Sequence, residues 1–255
     1  MMINKKVLGL FLVILFWMTS ASAAVITVTP DDMNGWVPFA EGGPGGSVHF
    51  VSGPGTPPLG TGSAQFTLDT NTSGMVLGFG LSDVRLDALT ALNYSTYNTV
   101  GNNTISAALQ FNIDYDLTDN ALNWQGRLVY EPYYDNQVQD GMWQTWDALA
   151  GRWWMTGNPI ANDTASAQIC GIGAPCSIAD ILNAFPNAGL HSSFGAVLFK
   201  AGSGWAAGSQ VAVDAFTLGI DGQNTTFDFE ASEVSAPAAV GLLLLGMGLM
   251  RVRRK

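Results

Sequence analysis

Basic residues are scarce in this chain, and where they sit matters more than how many there are. Of 10 Lys and Arg in 255 residues, Lys5 and Lys6 precede an apolar run near the start, while Arg251, Arg253, Arg254 and Lys255 close the chain. Only Arg85, Arg127, Arg152 and Lys200 lie between them, against 20 Asp and Glu, a balance of −16 for the intervening region. Phosphate backbones are held by clustered Lys and Arg, so nucleic acid is excluded as a partner. Acidity of this kind favours solubility and divalent cations instead.

Histidine and cysteine are equally sparse. His49 and His191 are the only histidines, and neither stands in a nucleophile motif, so a hydrolytic triad has no support. Cys170 and Cys176 are the only cysteines, both within "ICGIGAPCS". Two cysteines cannot staple a disulfide scaffold, and with no neighbouring His they match no zinc pattern. In an exported chain their nearness predicts a local disulfide that closes a short ring and stabilises modestly.

Long apolar runs are absent except at the two ends. Residues 1–23 read as a secretory signal peptide: Lys5 and Lys6, an apolar run from Val7 to Met18, then small residues with Ala21 and Ala23 in the cleavage pattern. The run is short for a bilayer-spanning helix of about 20 residues. At the other end, Ala238 to Met250 would rise about 20 Å as a helix, short of a hydrocarbon core of roughly 30 Å. Its basic end would stay on the cytoplasmic side.

What remains, residues 25–230, is rich in glycine and in alternating segments. "ISAALQFNIDYD" sets Ile105, Ala107, Leu109, Phe111, Ile113 and Tyr115 on one face and Ser106, Ala108, Gln110, Asn112 and Asp114 on the other, which predicts a half-buried strand. "SVHFV", "SAQFTLD", "LNWQGRLVYE", "FGAVLFK", "SQVAVDAFTLGI" and "NTTFDFE" read the same way. Two helices are expected: "SIADILNAF", opened by a capping box of Ser177 and Asp180, and "DVRLDALTAL". A single all-β domain of this size is common.

Three groups of residues carry candidate chemistry. "GMWQTWDALAGRWWMTG" brings together Trp143, Trp146, Trp153 and Trp154, with Gln144, Asp147 and Arg152 available for hydroxyl hydrogen bonds, and Trp124 lies nearby in "LNWQ". Indole faces stack on sugar rings, so the stretch is a candidate carbohydrate-binding surface; core packing is the competing reading, and for any single Trp the stronger one. "DYDLTD" spaces Asp114, Asp116 and Asp119 in a way that suits calcium, although it lacks the glycine of a full calcium loop, and a solvated acidic turn is the alternative. A pair of carboxyls such as Asp114 and Glu131 would serve glycoside hydrolysis if they faced one groove.

The succession "FVSGPGTPPLGTGS", "LTALNYSTYN", "LVYEPYY", "MWQTWDALAGRWW" and "VAVDAFTLGIDGQNTTFDFE" resembles secreted bacterial β-sandwich domains of the jelly-roll or concanavalin-like sort. Such sandwiches host lectins, enzymes and structural modules, so the resemblance implies a fold more than a function. Residues 234–255 resemble a PEP-CTERM sorting segment, a short motif followed by an apolar helix and a basic end, recognised by the membrane protease exosortase. Ser235, Ala236 and Pro237 stand where that family has Pro-Glu-Pro, in a variant motif that begins at Val234, which leaves the processing enzyme and the cut position open. The resemblance implies transient anchoring at the inner membrane, then release to the envelope or extracellular matrix among exopolysaccharide and biofilm components. The expected role is non-catalytic and polysaccharide-associated; the alternative is a glycoside hydrolase or lyase on the same sandwich.

Overall fold

The computed structural model describes residues 23–100, 104–119, 122–156, 169–202 and 204–232. The expected signal peptide and sorting tail, with Val234 to Pro237, fall outside the described residues, Ala23 excepted.

In chain order the strands are β1 Ala24–Val28, β2 Trp36–Ala40, β3 Gly46–Ser52, β4 Gly62–Leu68, β5 Gly74–Gly80, β6 Leu89–Val100, β7 Ala108–Asp114 and β8 Arg127–Tyr130. They continue as β9 Trp143–Asp147, β10 Arg152–Met155, β11 Cys176–Ser177, β12 Gly189–Leu190, β13 Ala196–Gly202, β14 Ser209–Ile220 and β15 Gln223–Phe229, with one α-helix, α1 Ile178–Ala184, after β11. The first sheet runs β9-β6-β14, and the far side of β14 is shared end to end by β4 and β15, which carry β3 and β1 outside them. The second sheet runs β11-β10-β8-β7-β13-β5-β2, with β12 also on β7. All pairings between these strands are antiparallel except β1 with β15. The chain is thus an antiparallel β-sandwich of the jelly-roll type, as the strand pattern leads one to expect.

Both sheets turn their apolar residues inward by the two-residue period of a strand. Leu109, Phe111 and Ile113 of β7, Leu128 and Tyr130 of β8, and Val197, Phe199 and Ala201 of β13 meet Tyr94, Val211, Val213 and Phe216 of the first sheet in one core. On β14 the inward residues are odd-numbered up to Val213 and even-numbered from Phe216. A bulge at Asp214 and Ala215, where Ala215 takes φ 52°, resets the phase so that both halves of the strand face the core.

Three expectations need correction. "DVRLDALTAL" forms only a 3-10 turn, Leu86–Ala88, before β6 begins. Leu86, Leu89 and Leu92 are all buried, and their spacing suits a helix, but pairing of β6 along most of β14 satisfies more backbone groups than a short isolated helix would. The strand after Ile105 is not half-buried either, because Ser106, Ala108 and Gln110 on its second face are also buried. In "LNWQGRLVYE" pairing starts only at Arg127, since Gly126 has φ 102° and a side chain there would run into the Thr156 carbonyl. The α1 helix has the expected capping box, with the Ser177 hydroxyl accepting from Asp180 N and the Asp180 carboxylate accepting from Ser177 N. Cys170 and Cys176 are bridged, with Cα atoms 5.5 Å apart.

Trp36 is a central aromatic anchor: it is 1% exposed and its indole N–H has no partner among the described residues. Replacing Trp36 by Ala is expected to cost about 3–5 kcal/mol. Trp36→Phe should cost less than about half as much, because it also removes an unsatisfied donor. Urea unfolding of the two variants measures the difference, and equal losses would mean that the indole N–H is bonded after all.

Candidate functional site

The alternation that fills the core also decides what the second sheet shows on its other side. Gln110 and Asn112 of β7, Arg127 and Val129 of β8, Trp154 of β10 and Lys200 of β13 all point outward, and the register places Trp154 beside Val129, Val129 beside Gln110, and Arg127 beside Asn112. All of them but Asn112, which instead holds the Arg127 side chain, floor a groove of about 680 Å³. Trp124, Tyr133, Glu131 and Trp205 stand around it.

The floor is held by one carboxylate. Glu41, just past β2, accepts from both terminal nitrogens of Arg127 at 2.8 and 2.7 Å and also from Lys200 Nζ. Arg127 is fixed further by Nε donating to Asn112 Oδ1 at 3.0 Å and by a bond to Gln110 Oε1 at 3.1 Å. Bidentate geometry makes this a directional contact. Glycine makes it reachable: Glu41 N donates to the Gly74 carbonyl, and a side chain at Gly74 would run into the Glu41 carbonyl. Burial pushes the Glu41 carboxyl up, but the bonds from Arg127 and Lys200 outweigh it and hold the group below its ordinary value.

The walls are aromatic. Trp124 is 51% exposed, lies with its ring 5.7 Å from the Arg127 guanidinium and packs against Phe194. Trp154 is half-buried, and its N–H donates to Glu131 Oε2 at 3.1 Å, which also accepts from the Tyr133 hydroxyl at 2.9 Å. Burial raises the Glu131 carboxyl, with those two bonds pulling the other way.

No protein-family model matches the chain, and no curated protein matches it. Among solved structures it is similar to the family 11 carbohydrate-binding module of the cellulosomal cellulase Lic26A-Cel5E of Clostridium thermocellum, with 12% identity and TM-score 0.41, over 73% of this chain and 88% of that one. A family 11 carbohydrate-binding module from Clostridium thermocellum in complex with a β-1,3-1,4-mixed-linked tetrasaccharide gives 14% identity and TM-score 0.36, over 72% of this chain and 88% of that one. A β-1,2-glucanase from Parabacteroides distasonis gives 9% and 0.35, over 79% of this chain and 24% of that one.

Of the four tryptophans in the tryptophan-rich stretch, Trp154 lines the groove and the other three do not. Trp153 is fully buried, stacked on Phe111, with its N–H on the Ala148 carbonyl. Trp146 is core of the first sheet and donates to Thr96 Oγ1. Trp143 is half-buried on the outer face of that sheet, against Tyr97 and the Pro54 carbonyl. Gln144 ties the Gln137 carbonyl to Gln139 N, Asp147 accepts from Ala150 N, and Arg152 pairs with Asp135. The four indoles therefore do not form one platform, because the turn from β9 to β10 carries the chain from one sheet to the other.

The acidic turn serves itself. Asp114 is 2% exposed and accepts from Asp116 N and Gln125 Nε2, while Asp116 accepts from the Thr118 amide and hydroxyl. Asp119 N closes the turn on the Asp116 carbonyl. Among the described residues no group of three His, Cys, Asp or Glu side chains is placed to hold a metal ion. Asp114 does not line the groove with Glu131. His191 is buried, with Nε2 on the Asn123 carbonyl and Nδ1 accepting from Ser193 N.

The reading of the residues missed Glu41, Gln110, Arg127, Lys200, Tyr133 and Trp205. A signal was present for two of them: Arg127 and Lys200 are half of the four basic residues in the acidic region, and so rare a charge needs a reason for its position. Because the folded value of Glu41 lies below its ordinary 4.5, its contribution is full above that value and is lost as pH falls through the folded one. Glu41→Gln should therefore cost about 1–2 kcal/mol at neutral pH, trimmed by partial exposure. The gap should narrow as pH falls from neutral through the lowered folded value, and urea unfolding across an acidic pH series measures it.

Proposed function

We propose that the groove across the second sheet binds a neutral polysaccharide chain, and that the protein is an exported, non-catalytic, polysaccharide-associated protein of the envelope or extracellular matrix. The observation that carries this is the pairing of an exposed indole, Trp124, with Trp154 around a polar, pre-bonded floor. Indoles supply flat apolar area for sugar rings, and Gln110, Arg127 and Lys200 supply donors toward hydroxyls. Neutral glycans suit it best. Glu41 offsets one of the two floor cations and Glu131 stands in the wall, so little positive charge remains to attract uronates or sulfates. Export through the N-terminal segment and exosortase-type processing of residues 234–255 belong to the same proposal, with membrane contact only through that tail before cleavage.

A hydrolytic reading requires a second free carboxylate opposite Glu131. The other acid of the groove, Glu41, is occupied by Arg127 and Lys200, so turnover of glycans is not expected.

Binding to a panel of neutral and acidic polysaccharides tests the proposal. Trp124→Ala should weaken binding by about 1–3 kcal/mol with an unchanged melting temperature, and Trp154→Ala should weaken it similarly with a small loss of stability. Trp153→Ala should instead unfold the protein early, at a cost of about 3–5 kcal/mol. Tighter binding of acidic than of neutral chains, or full affinity in both groove variants, would sink the reading.

A further inference from the structure

On the first sheet, remote from the groove, the backbone leaves a seam. Along β14 the pairing with β4 ends at Val213 opposite Ala64, and the pairing with β15 begins at Phe216 opposite Phe227. The bulge at Asp214 and Ala215 fills the interval, and the 53–61 segment lies over it. Asp214 is fully buried there, accepting from Leu59 N at 3.1 Å and Phe229 N at 3.2 Å, so it fastens that segment to the end of β15.

Beside it stand two further carboxylates. Asp228 is 9% exposed, and its Oδ1 is buried with no hydrogen-bond partner among the described residues. Glu230 accepts from the Thr61 amide and hydroxyl. Both acids border one point above the seam: a side chain on Gly60 would overlap Glu230 Oε1 and come 2.9 Å from Asp228 Oδ1, and one on Gly62 would come 2.7 Å from Glu230 Oε2. No ion pair among the described residues reaches Asp214, Asp228 or Glu230, since Arg85, Arg127, Arg152 and Lys200 are all paired elsewhere. An ionised oxygen in that position has lost its water and gained nothing in exchange.

We propose that Asp228 and Glu230 bind a calcium ion at this seam, with main-chain oxygens of the adjoining 53–61 segment and water completing its coordination. Calcium takes six to eight oxygens in flexible geometry, which an irregular loop over two carboxylates can supply, whereas magnesium requires near-octahedral order and keeps its own water. Two side-chain carboxylates rather than three fit the absence of any three-residue metal group among the described residues. Asp214, fully buried beneath the 53–61 segment, acts as a positioning residue that fastens that segment to β15. The ion gives the buried Asp228 oxygen its missing partner, relieves repulsion between neighbouring carboxylates and pins the 53–61 segment to the last strand. The site is independent of the groove and stands whether or not a glycan binds there.

The full-length protein, stripped with EDTA, is dialysed against CaCl2. One bound calcium per chain is expected, with a melting temperature raised by about 5 °C or more at about 1 mM CaCl2 and by less than half as much in MgCl2. Asp228→Asn should lose both the ion and the calcium-dependent shift while melting, metal-free, no lower than the parent, because the buried charge is gone. Glu230→Gln, at the more open end, should weaken calcium binding about tenfold, and it decides the matter if the Asp228 variant does not fold. No bound calcium at about 1 mM, or an unchanged ion and shift in either folded variant, overturns the proposal. Absence of binding together with metal-free stability that rises as the pH is lowered below about 7 would assign a shared proton to the seam instead.

Discussion

Everything on the surface of this sandwich depends on how Trp36 joins the two sheets. The indole lies on the second sheet, stacked on Phe199 at 5.7 Å and near Phe79 at 5.4 Å, and it meets the edges of Phe216, Phe227 and Phe229 of the first sheet at 6.0, 5.3 and 5.2 Å. Such edge-to-face contacts favour one mutual orientation over others. With that orientation set, the period of two leaves no freedom about the opposite face. If Phe199 is inward, Lys200 is outward; if Trp153 is inward, Trp154 is outward. The groove is the reverse side of the core.

Charge is organised by scarcity. The four basic residues of the described chain are each committed, and two of them share Glu41 at the centre of the groove. A guanidinium with its nitrogens bonded to Glu41, Asn112 and Gln110 has few conformations left to lose when a ligand arrives, so ordering costs are low. The same scarcity leaves carboxylates elsewhere without a cation to answer them. The acidic turn at Asp114 to Asp119 meets that demand with amides and a hydroxyl. At Asp228 one oxygen has no such donor among the described residues.

Much of the strand content was legible, because β4, β7, β13 and β15 alternate in sequence, β14 does so on either side of its bulge, and turn residues bound them. β2 and β5 were not: Pro38 and the glycines of "GMVLGFG" weaken the pattern, and both strands are defined by pairing with partners distant in sequence. The capping box of α1 is local chemistry and could be read directly, whereas the fate of "DVRLDALTAL" depended on β14, more than 100 residues away. In the tryptophan-rich stretch, adjacent Trp153 and Trp154 had to face opposite ways if they lay in a strand. That the turn before them changes sheets is a tertiary fact with no local signature.

The groove and the core anchor are linked through one short segment. β2 begins with Trp36 buried in the core, and five residues later Glu41 reaches the Arg127 and Lys200 side chains across the sheet. It crosses where two glycines oppose each other: a Cβ on Gly74 would run into the Glu41 carbonyl, and one on Gly202 would come 2.6 Å from Gly74 Cα. An edge strand bearing a proline is ordinarily the weakest part of a sheet. Here it is held at one end by an indole that joins both sheets and just past the other by a carboxylate with two cations, so the edge is clamped by the contacts that build the groove floor. Core packing and groove geometry are therefore one mechanical unit, and loosening of Trp36 is expected to reach the groove through Glu41 before it reaches any other part of the surface.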